Sequence, residues 1–160
     1  MGTIGEEIRQ TKPFADVAEE AVVTLVATTN RVRDALSGPV DARGLTLQQY
    51  NVLRILRGAG ASGLPTLDIA SRMLEKSPGI TRLLDRLEAK QLVLRERGSD
   101  DRRCVYCTIT ASGLELLAAL DRPVRQVALT ALSGLGETKL RRLLATLDEV
   151  RGTLRTAAGR

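Results

Sequence analysis

The sequence predicts a mainly α-helical protein with one small β-hairpin, and three observations support this fold class. Hydrophobic residues make up 43% of the 160 residues while aromatic residues make up only 2%, so the core must be aliphatic. Leucine and alanine, which favour helices, supply much of that core. Apolar residues recur at helical spacing through most of the chain, whereas residues 92–109 contain two short strand-like runs around a charged turn.

A long first helix is predicted over residues 14–36, after a polar segment, 1–12, that we expect to fray. Its apolar residues follow helical spacing at Ala18, Val22, Leu25, Val26, Val32 and Leu36. The sequence Ser37-Gly38-Pro39 is expected to end this helix because glycine and proline are both poor helix formers.

Two shorter helices are predicted next. Thr46 and Gln49 match a capping box, in which each side chain accepts the amide hydrogen of the other residue. A helix should therefore begin there and run to about Arg57. Thr66 is expected to cap a short helix that ends near Leu74, with Leu74 on its inward face.

The following helix has an exposed side that is polar and basic. Ser77 is expected to be its N-cap and Pro78 its first residue. Thr81, Arg82 and Arg86 fall outside its apolar stripe, at about 100° per residue. That stripe consists of Ile80, Leu83, Leu84 and Leu87.

Two strands and two helices complete the predicted order. The strands are Leu92–Arg97 and Arg103–Ile109, joined by a turn at Gly98–Asp101. Thr110 is then expected to cap a helix in which Pro123 should cause a kink or a restart. The last helix has an apolar stripe at Leu140, Leu143, Leu144, Leu147, Val150 and Leu154.

This order predicts a winged helix-turn-helix over residues 45–110, flanked by helices at 14–36 and 111–157. The flanking helices have apolar stripes with no obvious partner within the middle domain, which favours a homodimer held by those helices. A winged helix-turn-helix places one helix in the major groove of DNA, so the middle portion is expected to bind duplex DNA.

Charge and composition narrow the classes of function. The formal net charge is +5 and the isoelectric point is about 9.8, which suggests a polyanionic partner. There is no run of 18 apolar residues and no signal-peptide pattern at the N-terminus, so we expect a cytoplasmic protein without a membrane partner. Histidine is absent and no glycine-rich phosphate loop follows a strand, so we expect neither an enzyme nor a cofactor.

The run ITRLLDRLEAKQLVLRERGSDDRRCVYCTITASG, residues 80–113, resembles the MarR family of bacterial transcription regulators. It is similar to that family's TRL-x-DRLE-x-x-GLV segment, its D-x-R wing and its LT-x-x-G helix start. Gln91 stands where the family usually has glycine, and Ile109 where leucine is common. We expect either a strained backbone or a slightly different turn at Gln91.

The resemblance implies a homodimeric regulator, most often a repressor, that binds a pseudo-palindromic operator in double-stranded DNA. It also implies a small-molecule effector bound between the dimer helices and the DNA-binding domain. The identity of that effector is not predicted, because Phe14, Tyr50 and Tyr106 are the only aromatic residues and each is expected to pack in the core.

The predicted DNA contacts divide between the helix and the wing. Arg82 can bond a guanine with two hydrogen bonds, and by resemblance Arg103 reaches the minor groove while Asp101 holds the wing tip. The alternative is a solvated helix face in which the arginines pair with Asp85 and Glu88. The predicted DNA-binding residues are Ser77, Thr81, Arg82, Arg86, Arg97, Asp101, Arg102 and Arg103.

Cys104 and Cys107 form a CxxC sequence, but residues three apart on a strand face opposite ways, which argues against a disulfide or a metal site. Two small strand residues are the expected role, and a single reactive thiol stays open. Two alternatives to an effector-released regulator therefore remain. One is a thiol-responsive regulator that uses Cys104 or Cys107, and the other is a dimeric interaction protein that no longer binds DNA.

Overall fold

The structure is a computed structural model that describes residues 3–75, 79–97 and 104–158. The chain divides into two compact units, Met1–Val124 and Arg125–Arg160. In the described ranges, no helix is both long and apolar enough to cross a membrane. The elements in chain order are α1 (Ile4–Glu7), α2 (Val17–Asp41), α3 (Leu47–Ala59), β1 (Leu64–Pro65), α4 (Thr66–Arg72), α5 (Ile80–Ala89), β2 (Val93–Arg97), β3 (Val105–Ile109), α6 (Ala111–Ala131) and α7 (Glu137–Ala158).

The core of the first unit is aliphatic, as predicted, and joins α3, α4, α5 and α6. The predicted stripe of α5 is confirmed, since Leu83, Leu84 and Leu87 are buried and Ile80 is half-buried. Burial of this stripe fixes the rotation of α5 and leaves its opposite side on the surface. The large side chains that are fully buried include Leu53, Leu56, Ile69, Leu84, Leu87, Leu117 and Leu120.

The capping box at the start of α3 is confirmed. The backbone N–H of Gln49 donates to Thr46 Oγ1 at 3.2 Å, and the N–H of Thr46 donates to Gln49 Oε1 at 3.1 Å. Both side chains therefore satisfy backbone donors that the first turn of a helix leaves without partners. Gln49 is buried, so this cap also anchors α3 to the core.

The sheet has three antiparallel strands in the order β1–β3–β2, one strand more than predicted. In the hairpin, Val93 lies opposite Ile109 and Arg97 lies opposite Val105. The additional strand β1 brings Leu64 opposite Cys107. Such a two-residue strand is too short to show an alternating pattern in the sequence.

Several predicted boundaries were wrong, and a proline accounts for one of them. The first predicted helix does not end at Pro39 but continues to Asp41, and the Ala42 N–H donates to Gly38 O at 3.1 Å. A proline so close to the end of a helix removes only one hydrogen bond, and burial of Val40 holds the chain helical beyond it. The helix α6 likewise continues through Pro123 without a restart.

The short helix α4 also differs from its prediction. Thr66 is its first residue rather than its cap, and the Thr66 hydroxyl donates to Val105 O at 3.4 Å. Leu74 was predicted to face inward but is 86% exposed, because α4 ends at Arg72. Near the N-terminus, part of the segment expected to fray forms α1.

The turn between α5 and β2 confirms the strain expected at Gln91, whose φ is +58°. The N–H of Gln91 donates to Glu88 O at 2.8 Å, and the N–H of Leu92 donates to Leu87 O at 3.0 Å. These two bonds satisfy the last carbonyls of α5 in the manner that usually requires glycine. They direct the chain from α5 straight into the sheet.

The start of α6 is fixed against the same turn. Thr110 caps α6 as predicted, because its hydroxyl oxygen accepts the Gly113 N–H at 3.1 Å. The same hydroxyl donates to Gln91 O at 2.8 Å. A Cβ at Gly113 would lie 2.5 Å from Leu92 O, so only glycine allows this close approach. The helix α5, the sheet and α6 therefore share one junction.

Candidate nucleic-acid interface

The exposed side of α5 carries Thr81, Arg82, Asp85, Arg86 and Ala89. These residues lie opposite the buried leucine stripe, so they are the surface that α5 offers to a partner. The helices α3, α4 and α5 contact one another, with α5 last and most basic on its outer side. This is the arrangement of a helix-turn-helix, whose second helix enters the major groove.

The acidic residues of α5 are held by an arginine from the sheet. Arg95 of β2 places its Nη2 2.7 Å from Asp85 Oδ1, and its Nε donates to Glu88 Oε2 at 2.9 Å. The hydrogen bond to Glu88 is the main reason that the pKa of the Arg95 guanidinium is raised above its ordinary value. One guanidinium therefore bridges two carboxylates that lie one helical turn apart.

This bridge determines whether the two arginines on α5 are paired with the carboxylates of the same helix. The side chains of Arg82 and Arg86 form no ion pair or hydrogen bond with any other residue in the described ranges. The predicted alternative, in which they pair with Asp85 and Glu88, does not occur, because Arg95 occupies both carboxylates. Two cationic side chains are thus left exposed on one surface of α5.

The remaining predicted DNA contacts fall into two groups. Thr81 is exposed in the first turn of α5, and Arg97 is exposed at the end of β2, which leads into the wing. The structure does not describe Ser77 or the predicted wing residues Asp101, Arg102 and Arg103.

The predicted start of α5 needs a correction. Gly79 is its N-cap and Ile80 its first residue, and the Leu83 N–H donates to Gly79 O at 3.1 Å, whereas the predicted cap Ser77 and first residue Pro78 lie outside the described residues. Thr81 and Arg82 are therefore the second and third residues of the helix. In a helix-turn-helix, residues at the N-terminal end of this helix contact base edges.

A cavity of about 340 Å³ lies elsewhere in the first unit, between α2, α3 and the end of α4. Val32, Leu36 and Tyr50 form part of its apolar wall. Arg33 lines the cavity and places its Nη2 2.7 Å from Glu75 Oε1. The Arg54 guanidinium lies 5.8 Å from the centre of the Tyr50 ring.

The sequence did not predict this cavity, and its only signal is an arginine among the apolar residues of the first predicted helix. Tyr50 was expected to pack in the core, and it is 8% exposed while also lining the cavity. Of the other aromatic residues, Phe14 is half-buried and Tyr106 is exposed.

The comparisons with known proteins decide the family. A profile of the MarR family matches residues 45–105. The transcriptional regulator FarR of Neisseria gonorrhoeae is 32% identical over 113 residues, which cover 69% of this chain and 76% of FarR. This chain belongs to the MarR family. The predicted resemblance and the winged-helix fold class are thereby confirmed.

Other MarR-family proteins agree with this assignment. The regulator MhqR of Bacillus subtilis is 30% identical, and this chain covers just under two thirds of its length, 64%. A MarR transcription factor from Planctomyces limnophilus is 38% identical with a TM-score of 0.67, covering 85% of this chain and 98% of that one. The S. aureus MepR–DNA complex is 23% identical, covers 81% of this chain and 95% of that one, and supports the fold with a TM-score of 0.75.

Neither cysteine of this MarR-family chain forms a disulfide within the described residues. Cys107 is fully buried, and its Sγ lies 3.8 Å from Thr66 Oγ1. Burial raises the pKa of the Cys107 thiol, which disfavours the reactive thiolate. Cys104 is half-buried just before β3. Within the described ranges, no three cysteine or acidic residues cluster as metal ligands would.

Proposed function

We propose that this protein is a homodimeric, sequence-specific DNA-binding transcription regulator, a repressor that a small-molecule effector releases. The observation that carries the proposal is the exposed side of α5, where Arg82 and Arg86 have no partner among the described residues because Arg95 holds the neighbouring carboxylates. Arginine is the residue that most often bonds guanine in the major groove, with two parallel hydrogen bonds. The protein would bind this duplex DNA in the cytoplasm.

Each predicted contact has a separate role in the proposal. Arg82, near the start of α5, bonds a guanine edge, while Thr81 and Arg86 contact bases or phosphates beside it. Arg97 contacts phosphate at the base of the wing. The proposal also assigns base or phosphate contact to Ser77, wing support to Asp101, and minor-groove or phosphate contact to Arg102 and Arg103.

The homodimer is proposed from apolar surface that one chain leaves exposed. On α2, Val22 and Val26 are exposed, and on α7, Leu144 and Leu154 are exposed. Exposed apolar stripes of this kind usually mark an interface. The proposed dimerisation regions are 14–36 and 111–157, around a DNA-binding domain at 45–110. A two-fold dimer then requires a pseudo-palindromic operator with half-sites about one helical turn apart.

The cavity beside α3 is the proposed effector site. Its apolar wall suits an organic molecule, and Arg33 and Arg54 on its lining suit a molecule that also carries an anionic or phenolic group. Two relatives have names that support a ligand of this kind. One is the homoprotocatechuate degradative operon repressor of Escherichia coli, and the other is Bordetella bronchiseptica BpsR, whose DNA binding is regulated by 6-hydroxynicotinic acid.

A gel-shift assay with the DNA upstream of this protein's own gene tests the proposal, first alone and then with aromatic acids. We expect a shifted complex that a subset of these acids releases. A complex that Arg82→Ala weakens while Arg141→Ala does not would support the assigned surface, since Arg141 is paired with Glu137 on α7. Absence of any complex would instead favour an interaction protein that does not bind DNA.

A thiol-responsive regulator is the second candidate, and the half-buried position of Cys104 is the observation that favours it. Cys107 is a poor sensor because it is buried and its pKa is raised. Replacing each cysteine with serine and testing whether an oxidant still releases DNA would decide. Release that persists in both variants would reject the thiol mechanism.

A further inference from the structure

We propose that Arg95 is a positioning residue for DNA recognition, which keeps Asp85 and Glu88 away from the arginines of α5 and anchors that helix to the wing. This inference rests on the proposed function, since it assumes that α5 binds DNA. Arg95 itself does not need to touch DNA. Its side chain is 24% exposed and both of its partners lie on the helix.

The spacing along α5 shows what Arg95 prevents. Asp85 lies three residues after Arg82, and this separation allows an ion pair on one helix surface. Without Arg95, Asp85 would be free to pair with Arg82 and draw its guanidinium away from a base. Two uncompensated carboxylates would also face DNA phosphates across a short distance and repel them.

The carboxylates also repel each other. Asp85 and Glu88 are three residues apart on the same helix, which places like charges on adjacent turns. Arg95 contacts both, with Nη2 toward Asp85 and both Nε and Nη2 toward Glu88. Only the planar, forked guanidinium offers this geometry, so a lysine would hold one carboxylate less firmly.

The position of Arg95 in the sheet explains the anchoring role. It lies opposite the fully buried Cys107, so its side chain leaves the inner face of the hairpin toward α5. Arg97 lies two residues further along the same strand face and leads into the wing. The bridge therefore links the helix in the major groove to the strand that carries the wing.

The test measures operator affinity and base preference for Arg95→Gln, Arg95→Lys and the triple variant Arg95→Gln/Asp85→Asn/Glu88→Gln. We expect Arg95→Gln to weaken specific binding by about 5- to 150-fold, the range for loss of one bidentate base contact. Arg95→Lys should retain part of the affinity. The triple variant should regain the base preference, because the competing carboxylates are gone, although the anchor between α5 and β2 stays broken.

Arg57→Gln is the matched control, because Arg57 is another partly exposed arginine that pairs with a carboxylate, Asp121, at 2.9 and 3.0 Å. It should lower the melting temperature without changing base preference. If Arg95→Gln does not fold, Arg95→Lys and the triple variant still distinguish a positioning role of Arg95 from a purely structural role.

Three results would overturn the inference. A base preference that the triple variant does not restore would mean that Arg95 does not act by holding the two carboxylates away from the arginines of α5. Unchanged affinity in Arg95→Gln, with Arg82→Ala still impaired, would reject the positioning role while leaving the proposed function intact. Failure of the unaltered protein to bind duplex DNA would reject both.

Discussion

The winged-helix part of the chain and the outer helices α2 and α7 leave different kinds of surface exposed. In the winged helix, Leu53 and Leu84 are fully buried, and the surface of α5 presents charge through Arg82 and Arg86. On α7 two ion pairs form within the helix, Arg141 with Glu137 and Arg151 with Asp148, while apolar residues stay exposed. The first surface suits a polyanion, and the second suits another apolar surface.

The two regions differ in whether one chain alone buries their apolar residues. The aliphatic core of the first unit buries the apolar residues of the winged helix together with Val40, Leu117 and Leu120 from the flanking helices, so the surface residues of α5 need not contribute to stability. Between residues 137 and 157, where the burial of α7 is described, no residue is buried, and hydrocarbon on its surface remains in contact with water until a partner covers it. Substitutions in the two regions should therefore affect different measurements.

The largest effect is expected from Leu154→Glu, which places a charge in the proposed dimer interface. An uncompensated buried charge costs about 3 kcal/mol or more, and two-fold symmetry doubles that cost in the dimer. Light scattering should show a monomer with unchanged helical content. Ala145→Glu, on the opposite side of α7, should leave the dimer intact. A stable monomer of the unaltered protein at micromolar concentration would contradict the proposal.

The second effect tests the closed core of the winged helix. Leu84→Ala should lower the free energy of unfolding by about 2–5 kcal/mol, because it leaves a cavity among α3, α5 and α6. Leu67→Ala is the matched control, since Leu67 is 81% exposed on α4 and its truncation removes little packing. Urea denaturation measures both. Equal losses for the two variants would show that the core is not closed as described.

The third effect separates DNA recognition from assembly. Arg82→Ala should cost about 1–3 kcal/mol of specific binding and relax base preference at one position in each half-site, with the dimer unchanged. Binding measured against a set of single-base operator variants checks this. An even loss of affinity across all variants would mean that Arg82 contacts phosphate instead of a base.

The sequence predicts most of the features that distinguish the two regions, but not the Arg95 bridge. The α5 stripe and the Thr46–Gln49 cap follow from local spacing, which is why both are confirmed. The Arg95 bridge was missed, although Val93 and Arg95 are two residues apart on one strand face and the first is buried. An arginine on the inward face of a strand, next to a buried valine on that face, signals a partner on another element. Which element supplies that partner depends on tertiary packing that local patterns do not contain.

Other errors have the same origin. Pro39 was predicted to end a helix, but burial of Val40 in the last turn outweighs the single hydrogen bond that the proline removes. Thr66 has the sequence character of a cap, but its hydroxyl bonds the neighbouring strand at Val105. Local preferences of about 3 kcal/mol for a proline within a helix and about 1 kcal/mol for a cap were outweighed by contacts with residues distant in sequence.

The fourth prediction concerns Arg103, which the sequence places in the wing. Arg103→Ala should weaken binding and lower the slope of log affinity against log salt by roughly 0.9, the value for one lost phosphate contact. Binding isotherms at several salt concentrations measure this, with thermal melts as the stability control. If Arg103 only pairs with Asp101 on the surface, the slope should be unchanged and stability should fall by less than about 1 kcal/mol.

The smallest effect is expected at Gln91, where the turn between α5 and β2 forces a positive φ on a residue with a side chain. The left-handed conformation costs a non-glycine residue about 1–2 kcal/mol, part of which glycine loses again through the greater freedom of its unfolded chain. Gln91→Gly should therefore raise the free energy of unfolding by about 0.5–1 kcal/mol. Because Gln91 is outside the Arg95 bridge and the exposed side of α5, operator affinity should not change.

Ala89→Gly, two residues earlier in the last turn of α5, is the control for Gln91→Gly. Ala89 lies within the helix, so the same glycine should lower stability by about 1 kcal/mol there. Opposite signs for the two variants in urea denaturation would show that backbone strain at Gln91, and not glycine itself, is responsible. A loss of stability in Gln91→Gly would mean that the Gln91 side chain makes contacts worth more than the strain. In that case the side chain of Gln91, which stands where the family usually has glycine, would stabilise the turn.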